Sequence, residues 1–417
     1  MLKYFLNKIH PKIKGSSKVY WYLREWYVLW SVRLTGLFDS PKKQKKRLLF
    51  YELAGMGYGG TEAFLQILAK HVNKNEYDVY FMYSDKVADG AGIEDYTSRL
   101  DFIVKGGVIP IRFDYTGKSS LPPSIVYGMS PDIFTIIKCL QIDLLVVAGA
   151  GHADFPFTAV RNIPIIFLNV FGQPNVQKNV TYHLCISQEV ANKLNPIVPK
   201  EKILVTYVPS ELPLAGSEEA GKRLRESLGI PDNALVFGRI GRSSNGIFDP
   251  IGIRAFQVII KKYPNTHYLI VSPASDLREI VEREKIPNVH FVSGSGRMED
   301  LWSFYYAFDV LAHFRHDGES FGLNIVQAML CSRPVISHKS KYWNAHLEYL
   351  TDEFSRVAEI DNIVQYASFM ELFINQWQAG KLAAMGEKAR KVAEELISVD
   401  KHVKTFEQCV KNSLLNK

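Results

Sequence analysis

The chain has 417 residues, 47% of them apolar and 22% charged. It is too long for one ordinary core, and its composition is that of a globular protein rather than a disordered or membrane-embedded one. The formal charge of +7 is unevenly placed, with +10 on residues 1–47 and −3 on the rest. A nucleic-acid partner would rest on that arm alone, and no nucleic-acid-binding motif stands in it, so none is expected. Cys139, Cys185, Cys331 and Cys409 show neither pairing nor metal-ligand spacing, which points to a reducing, cytoplasmic compartment.

Residues 1–46 form a basic, aromatic arm containing Trp21, Trp26 and Trp30. Arg24, Glu25 and Arg33 keep its uncharged runs far below the roughly 18 residues of a membrane span. No small-residue cleavage site marks a signal peptide. Aromatics beside Lys and Arg suit peripheral contact with an anionic membrane; the alternative is a helix packed on the protein's own surface, with Lys42–Arg47 as a solvated linker.

Residues 47–54 read as a buried strand, 55–60 as a glycine loop and 61–71 as an amphipathic helix. Further apolar runs stand at 77–83, 107–112, 143–148, 163–170 and 182–186, with helical patterns at 133–140 and 188–194. After a polar segment at 211–220, a second series follows with strands at 234–240, 267–272, 289–293, 310–313 and 334–337. Helical stretches at 251–262 and 299–307 lie between them, and the chain is helical in pattern from 363 onward. The alternation predicts an α/β fold of two Rossmann-like domains, 47–210 and 211–395, facing across a cleft. A C-terminal helix over 396–417 is expected to pack back toward the first domain. Ligands in such folds bind beyond the carboxyl ends of the strands, here in the cleft.

Several groups of residues carry candidate chemistry. Gly55, Gly57 and Gly60 match Gly-x-Gly-x-x-Gly between a strand and a helix, which makes NAD(P) or flavin binding a rival. The acidic partner that fingerprint needs is met only by Asp85, 25 residues past Gly60. Gly59-Gly60-Thr61-Glu62 would equally let a phosphate or an acceptor approach the helix start, or form a plain tight turn. His152 and Asp154 follow a strand end, where His152 can contact a substrate or be an ordinary loop histidine. Gly238, Arg239 and Arg242 stand at the carboxyl end of the second domain's first strand, where two arginines would neutralise a diphosphate. His313, His316, Asp317 and Glu319 look like a metal cluster but lack a further ligand. No Asp-x-Asp element stands at a strand end either, so no metal is expected.

The densest stretch follows at once. Glu319 lies in a loop, Ser320 is the expected N-cap, and Ile325, Val326, Met329 and Leu330 give the next helix an apolar side. Arg333-Pro334 ends that helix before the strand at Val335-Ile336. A carboxylate beside the free N–H groups of Phe321 to Asn324 suits a ligand with hydroxyls and phosphate.

Taken in order, these segments resemble the retaining glycosyltransferases of family 4, which have the GT-B fold. The resemblance is carried by the glycine loop 55–60, Gly151-His152, Cys185-Ile-Ser187 before a helix, Gly238-Arg239, and the block 318–336. In that block, Glu-Ser-Phe-Gly-Leu-x-x-x-x-Ala-Met is the family's donor-site signature. The resemblance implies transfer of a hexose-like sugar from a UDP- or GDP-linked donor to a hydroxyl of a glycan or lipid-linked acceptor, with retention and without metal or other cofactor. It implies that Glu319 binds the donor sugar's hydroxyls and that His152 lies near the transferred sugar. It places Arg239 or Arg242 against the leaving diphosphate. Backbone at Ser320, Phe321, Gly322 and Leu323 would meet the distal phosphate, and Gly59, Gly60 and Gly238 would line the donor. The chain departs from the pattern at Gln327, where a second glutamate is expected to hold ribose, and in lacking a lysine soon after Gly238-Arg239. Arg333 or Ser332 also stands where a glycine is expected. These departures favour a catalytically degenerate GT-B partner protein as an alternative, beside an NAD(P)-dependent oxidoreductase and an epimerase or hydrolase acting on a nucleotide sugar.

Overall fold

The computed structural model describes residues 45–52, 56–57, 59–84, 97–113, 133–149, 157 and 160–415. The arm up to residue 44, Gly55, Asp85, Gly151, His152 and Asp154 lie outside the described residues.

The first domain alternates β1 (Lys46–Glu52), α1 (Gly60–His71), β2 (Tyr77–Ser84), α2 (Thr97–Lys105), β3 (Ile109–Phe113), α3 (Ile133–Cys139), β4 (Leu144–Gly149), β5 (Ile165–Asn169), β6 (Val180–Cys185), α4 (Gln188–Leu194) and β7 (Ile203–Val205). Its strands form one parallel sheet in the order β3-β2-β1-β4-β5-β6-β7. Every residue of β5 is buried, which is why that strand reads as an unbroken apolar run rather than an alternating one.

The second domain begins with α5 (Ser217–Ser227) and continues through β8 (Leu235–Ile240), α6 (Ile251–Lys262), β9 (Thr266–Val271), α7 (Ser275–Arg283), β10 (Val289–Val292), α8 (Met298–Tyr306), β11 (Val310–Ala312), β12 (Gly318–Glu319), α9 (Leu323–Leu330), β13 (Val335–His338), β14 (Trp343–Asn344) and β15 (Ser355–Ala358). Its main sheet is also parallel, in the order β10-β9-β8-β11-β13-β15, while β12 and β14 pair separately. Three helices close the chain: α10 (Ile363–Gln378), α11 (Leu382–Leu396) and α12 (Val399–Leu415).

Two elements escaped the hydrophobic pattern. The segment read as a polar boundary contains α5, on which only Ser217 and Gly221 are buried. A Cβ on Gly221 would lie 2.7–2.9 Å from Tyr306 and Ala307, so this helix docks through a glycine rather than an apolar stripe. β15 has a buried residue only at each end and therefore presents no apolar run. Among the described residues no helix is long and apolar enough to cross a membrane.

The domains share one continuous apolar cluster that includes Phe50 of β1, Val236 of β8 and Ile325 of α9. α12 crosses back onto the first domain. The Phe406 ring packs 5.7 Å from Phe50, Thr181 and Ser413 share a 2.7 Å hydroxyl contact, and the Glu407 carboxylate accepts the Asn73 N–H at 2.7 Å. Phe406→Ala should therefore cost about 3–5 kcal/mol, read as a lower denaturant midpoint for the whole chain.

Candidate active site

The carboxyl ends of β8, β11 and β13 open on one edge of the second sheet, since β11 pairs with both β8 and β13. Polar groups without partners collect at this edge. Arg239, the fifth residue of β8, is 2% exposed and makes no ion pair among the described residues; its Nε lacks any hydrogen-bond partner. Its guanidinium lies 5.0 Å from the Phe314 ring and turns under Gly241, where a Cβ would come within 2.9 Å of it. Burial lowers its pKa to about 10, with Tyr268 and Glu319 opposing the shift. His346 is 1% exposed with neither ring nitrogen hydrogen-bonded, and the hydroxyl of Ser337 on β13 is likewise buried and unpartnered. Burial is the main cause that pushes His346 down to about 4.

Glu319 is buried in the two-residue strand β12. Burial would raise its pKa, but Arg315, whose Nη1 lies 3.7 Å away, and His313 outweigh that and bring it to about 2. His313 Nε2 is 3.1 Å from Oε1 of Glu319 without forming a well-aligned hydrogen bond. The carboxylate is thus charged near neutrality and held from one side. Asn324 ties the start of α9 to this edge by donating to the Ile240 carbonyl at 3.1 Å.

α9 starts later than its sequence pattern predicts. Ser320 is not the N-cap: β12 keeps 318–319 extended, and the Tyr349 hydroxyl donates to the carbonyls of Phe321 (2.5 Å) and Gly322 (3.3 Å). The chain turns only at Gly322, whose φ of +90° needs a glycine. The helix mouth is therefore at Leu323. α1 points its own start at the same place. Gly59 caps it, and a Cβ on Gly60 would lie 3.7 Å from the Leu323 side chain. The starts of two helices, one from each domain, thus touch here; the Glu62 carboxylate already sits against the N-cap of α1, whereas α9 has no acid in its first turn and its start favours an anion.

Other candidates lie elsewhere. Gly238 sits inside β8, where a Cβ would fall 1.9 Å from the Phe308 ring; it is a packing glycine rather than part of a ligand loop. Arg242 is exposed on the loop after β8. Gln327 is buried and accepts the Tyr305 hydroxyl at 3.1 Å. Phe321 is buried between the rings of Tyr207 and Tyr349, 5.8 and 5.7 Å away. Of the four candidate ligands in the His313-to-Glu319 run only His313 and Glu319 meet: His316 is exposed beside Tyr342, and Asp317 is engaged by Arg315 at 2.5 and 2.8 Å. His346, Ser337, Arg315 and Tyr349 were not singled out from sequence. They belong to no motif and meet only because β13 and the turn after β14 fold over α9.

Comparison with known proteins bears on this geometry. Residues 222–392 match the model of the glycosyl transferases group 1 family. That match covers most of the second domain, including β8, β12 and α9. The D-inositol 3-phosphate glycosyltransferase of Corynebacterium kroppenstedtii is 30% identical over 136 residues, which span 30% of this chain and 30% of that relative. Among solved structures, HepE of Anabaena in complex with UDP and glucose superposes with a TM-score of 0.67 at 17% identity, over 87% of this chain and 99% of that one. A glycosyltransferase from Rickettsia africae gives 0.67 at 14% identity, over 90% and 100%. The fold is GT-B.

Two measurements check the local physics. Gly238→Ala should destabilise the chain by about 1–3 kcal/mol through overpacking against Phe308, read by denaturant unfolding. His346 titrates at 6.5 when unfolded and at about 4 when folded, so the unfolded chain takes up the proton first as the pH falls. Its contribution is whole above 6.5 and is lost toward 4, at about 1.4 kcal/mol per pH unit at most. His346→Phe should flatten the fall in urea midpoint across that window.

Proposed function

We propose that this protein is a retaining GT-B glycosyltransferase of the family 4 type, taking a sugar from a nucleoside diphosphate donor to a hydroxyl acceptor. The observation that carries the reading is a buried Arg239 without an ion pair beside a charged Glu319, on the sheet edge to which Asn324 ties the start of α9. A buried cation without a counter-ion is costly, and an anionic ligand removes that cost. The UDP named for HepE of Anabaena makes UDP the first nucleotide to test.

In this reading the diphosphate lies at the start of α9, with the Gly59-Gly60 turn alongside. The N–H groups at Leu323 and Asn324 and the Arg239 guanidinium take up negative charge as the bond from the anomeric carbon to the phosphate oxygen breaks. Such fixed donors carry the leaving group without a metal ion. Glu319 accepts hydrogen bonds from the sugar's hydroxyls, and the Ser337 hydroxyl and the His346 ring are further buried polar groups of the same domain. His152, outside the described residues, keeps the role near the transferred sugar that the family resemblance implies. The Gln327 amide, with its carbonyl already engaged by Tyr305, leaves the ribose with fewer acceptors than a carboxylate would provide. The acceptor hydroxyl, from a glycan or a lipid-linked sugar, enters from the first domain. The basic arm 1–46 would keep a cytoplasmic enzyme close to a membrane that carries such an acceptor.

A second reading, a non-catalytic GT-B partner, is favoured by Gln327 facing Tyr305 and by the absence of a lysine after Arg239. Assay with UDP- and GDP-sugars separates the two. Glu319→Ala and Arg239→Ala should each lower turnover about a hundredfold or more, with EDTA without effect. Full activity of Glu319→Ala would remove the site assignment. Absence of both nucleotide binding and donor turnover in the unaltered chain would leave the partner reading.

A further inference from the structure

Residues 340–349 wrap the candidate site from outside. β14 pairs with β12, placing Trp343 opposite Gly318 and Asn344 opposite Glu319. The approach is close: a Cβ on Gly318 would fall 1.9 Å from the Trp343 carbonyl oxygen. At the other end of the segment, Tyr349 holds the Phe321 and Gly322 carbonyls ahead of α9. β12 has only two residues and no partner in the main sheet, so the placement of Glu319 depends on this segment.

The segment is in turn held by the first domain. Ser187 caps α4 by accepting the Val190 N–H at 3.1 Å. The two preceding N–H groups, those of Gln188 and Glu189, donate instead to the Glu348 carboxylate across the domain boundary, at 3.0 and 2.8 Å. Glu189 answers in the other direction, its carboxylate accepting the Asn344 N–H at 2.8 Å. The Lys193 ammonium lies 3.2 Å over the Trp343 ring, and Phe171 packs 5.8 Å from it. One domain thus leaves a helix start incompletely capped and the other completes it. The same contact touches the strand that pairs with Glu319.

We infer that Glu348 and Glu189 are positioning residues. Their reciprocal exchange with the start of α4 and with Asn344 carries closure of the two domains through β14 to β12, and sets the Glu319 carboxylate only when the domains are together. This rests on the assignment of Glu319 to the donor sugar. The contacts suit a reversible device: Glu348 is solvent-exposed, so each bond is readily exchanged for water. The device also makes catalysis conditional on the first domain, which brings the acceptor.

Hydrogen exchange followed by mass spectrometry on the full chain, without any donor, tests the linkage directly. Glu348→Ala should speed exchange about tenfold in peptides covering 188–194 and also in those covering 318–324, with Glu348→Gln restoring part of the protection. A response confined to 188–194 would make Glu348 a helix cap and nothing more, and the inference would fall. Kinetics supply the second readout. Glu348→Ala should lower kcat about tenfold while the affinity for UDP alone falls less, because UDP carries no sugar for Glu319 to hold. Unchanged kcat in that variant would also overturn the inference. A chain with no turnover at all would instead remove the glycosyltransferase reading, and the exchange experiment would still decide the linkage between α4 and β12.

Discussion

Arg239 and Glu319 are two buried charges that the fold keeps near each other without joining them. A direct ion pair would satisfy both and leave nothing to offer a ligand. Instead Arg315 and His313 hold Glu319 from one side, while Arg239 is left against aromatic rings with an unsatisfied nitrogen. Burial works against both charged forms, and only the surrounding cations keep the carboxylate ionised. Such an arrangement costs stability in the empty protein. Both side chains are nonetheless buried, Arg239 within β8 of the parallel sheet and Glu319 in β12, which pairs with β14.

The second organising feature is the way one domain completes the other. The starts of α1 and α9 come together from separate domains, Gly60 against Leu323. α12 anchors the far end of the chain on the first domain through Phe406 and Ser413, which fixes the two sheets around a shared core. Elsewhere between the domains the contacts are mainly polar and only partly buried, made by Glu348, Glu189 and Asn344, with Lys193 and Phe171 against the Trp343 ring.

Much of the architecture was legible in the chain. Apolar runs alternating with amphipathic helices specified two parallel sheets, because strands covered on both faces must be apolar throughout. The elements that escaped, α5 and β15, pack through a glycine or through single buried residues, and such contacts leave no periodic trace. At the site, Glu319, Arg239 and the Gly59-Gly60 turn stood out because they sit at strand-to-helix junctions. The helix N-cap was misplaced by two residues, at Ser320 instead of Gly322, since the chain there is held by β14 and Tyr349, which come later in sequence. Gly238 looked like part of a ligand loop, yet Phe308 alone explains it.

The sequence by itself determined the fold class and its two parallel sheets, because residue type, spacing and turn chemistry are local. Only the tertiary structure decided which polar atoms are left without partners, which helix starts meet, and what holds Glu319 in place. Those depend on side chains far apart in the chain, such as Gly60 with Leu323 and Gln188 with Glu348, and contacts of that range follow from the packing of whole sheets rather than from any pattern within one segment.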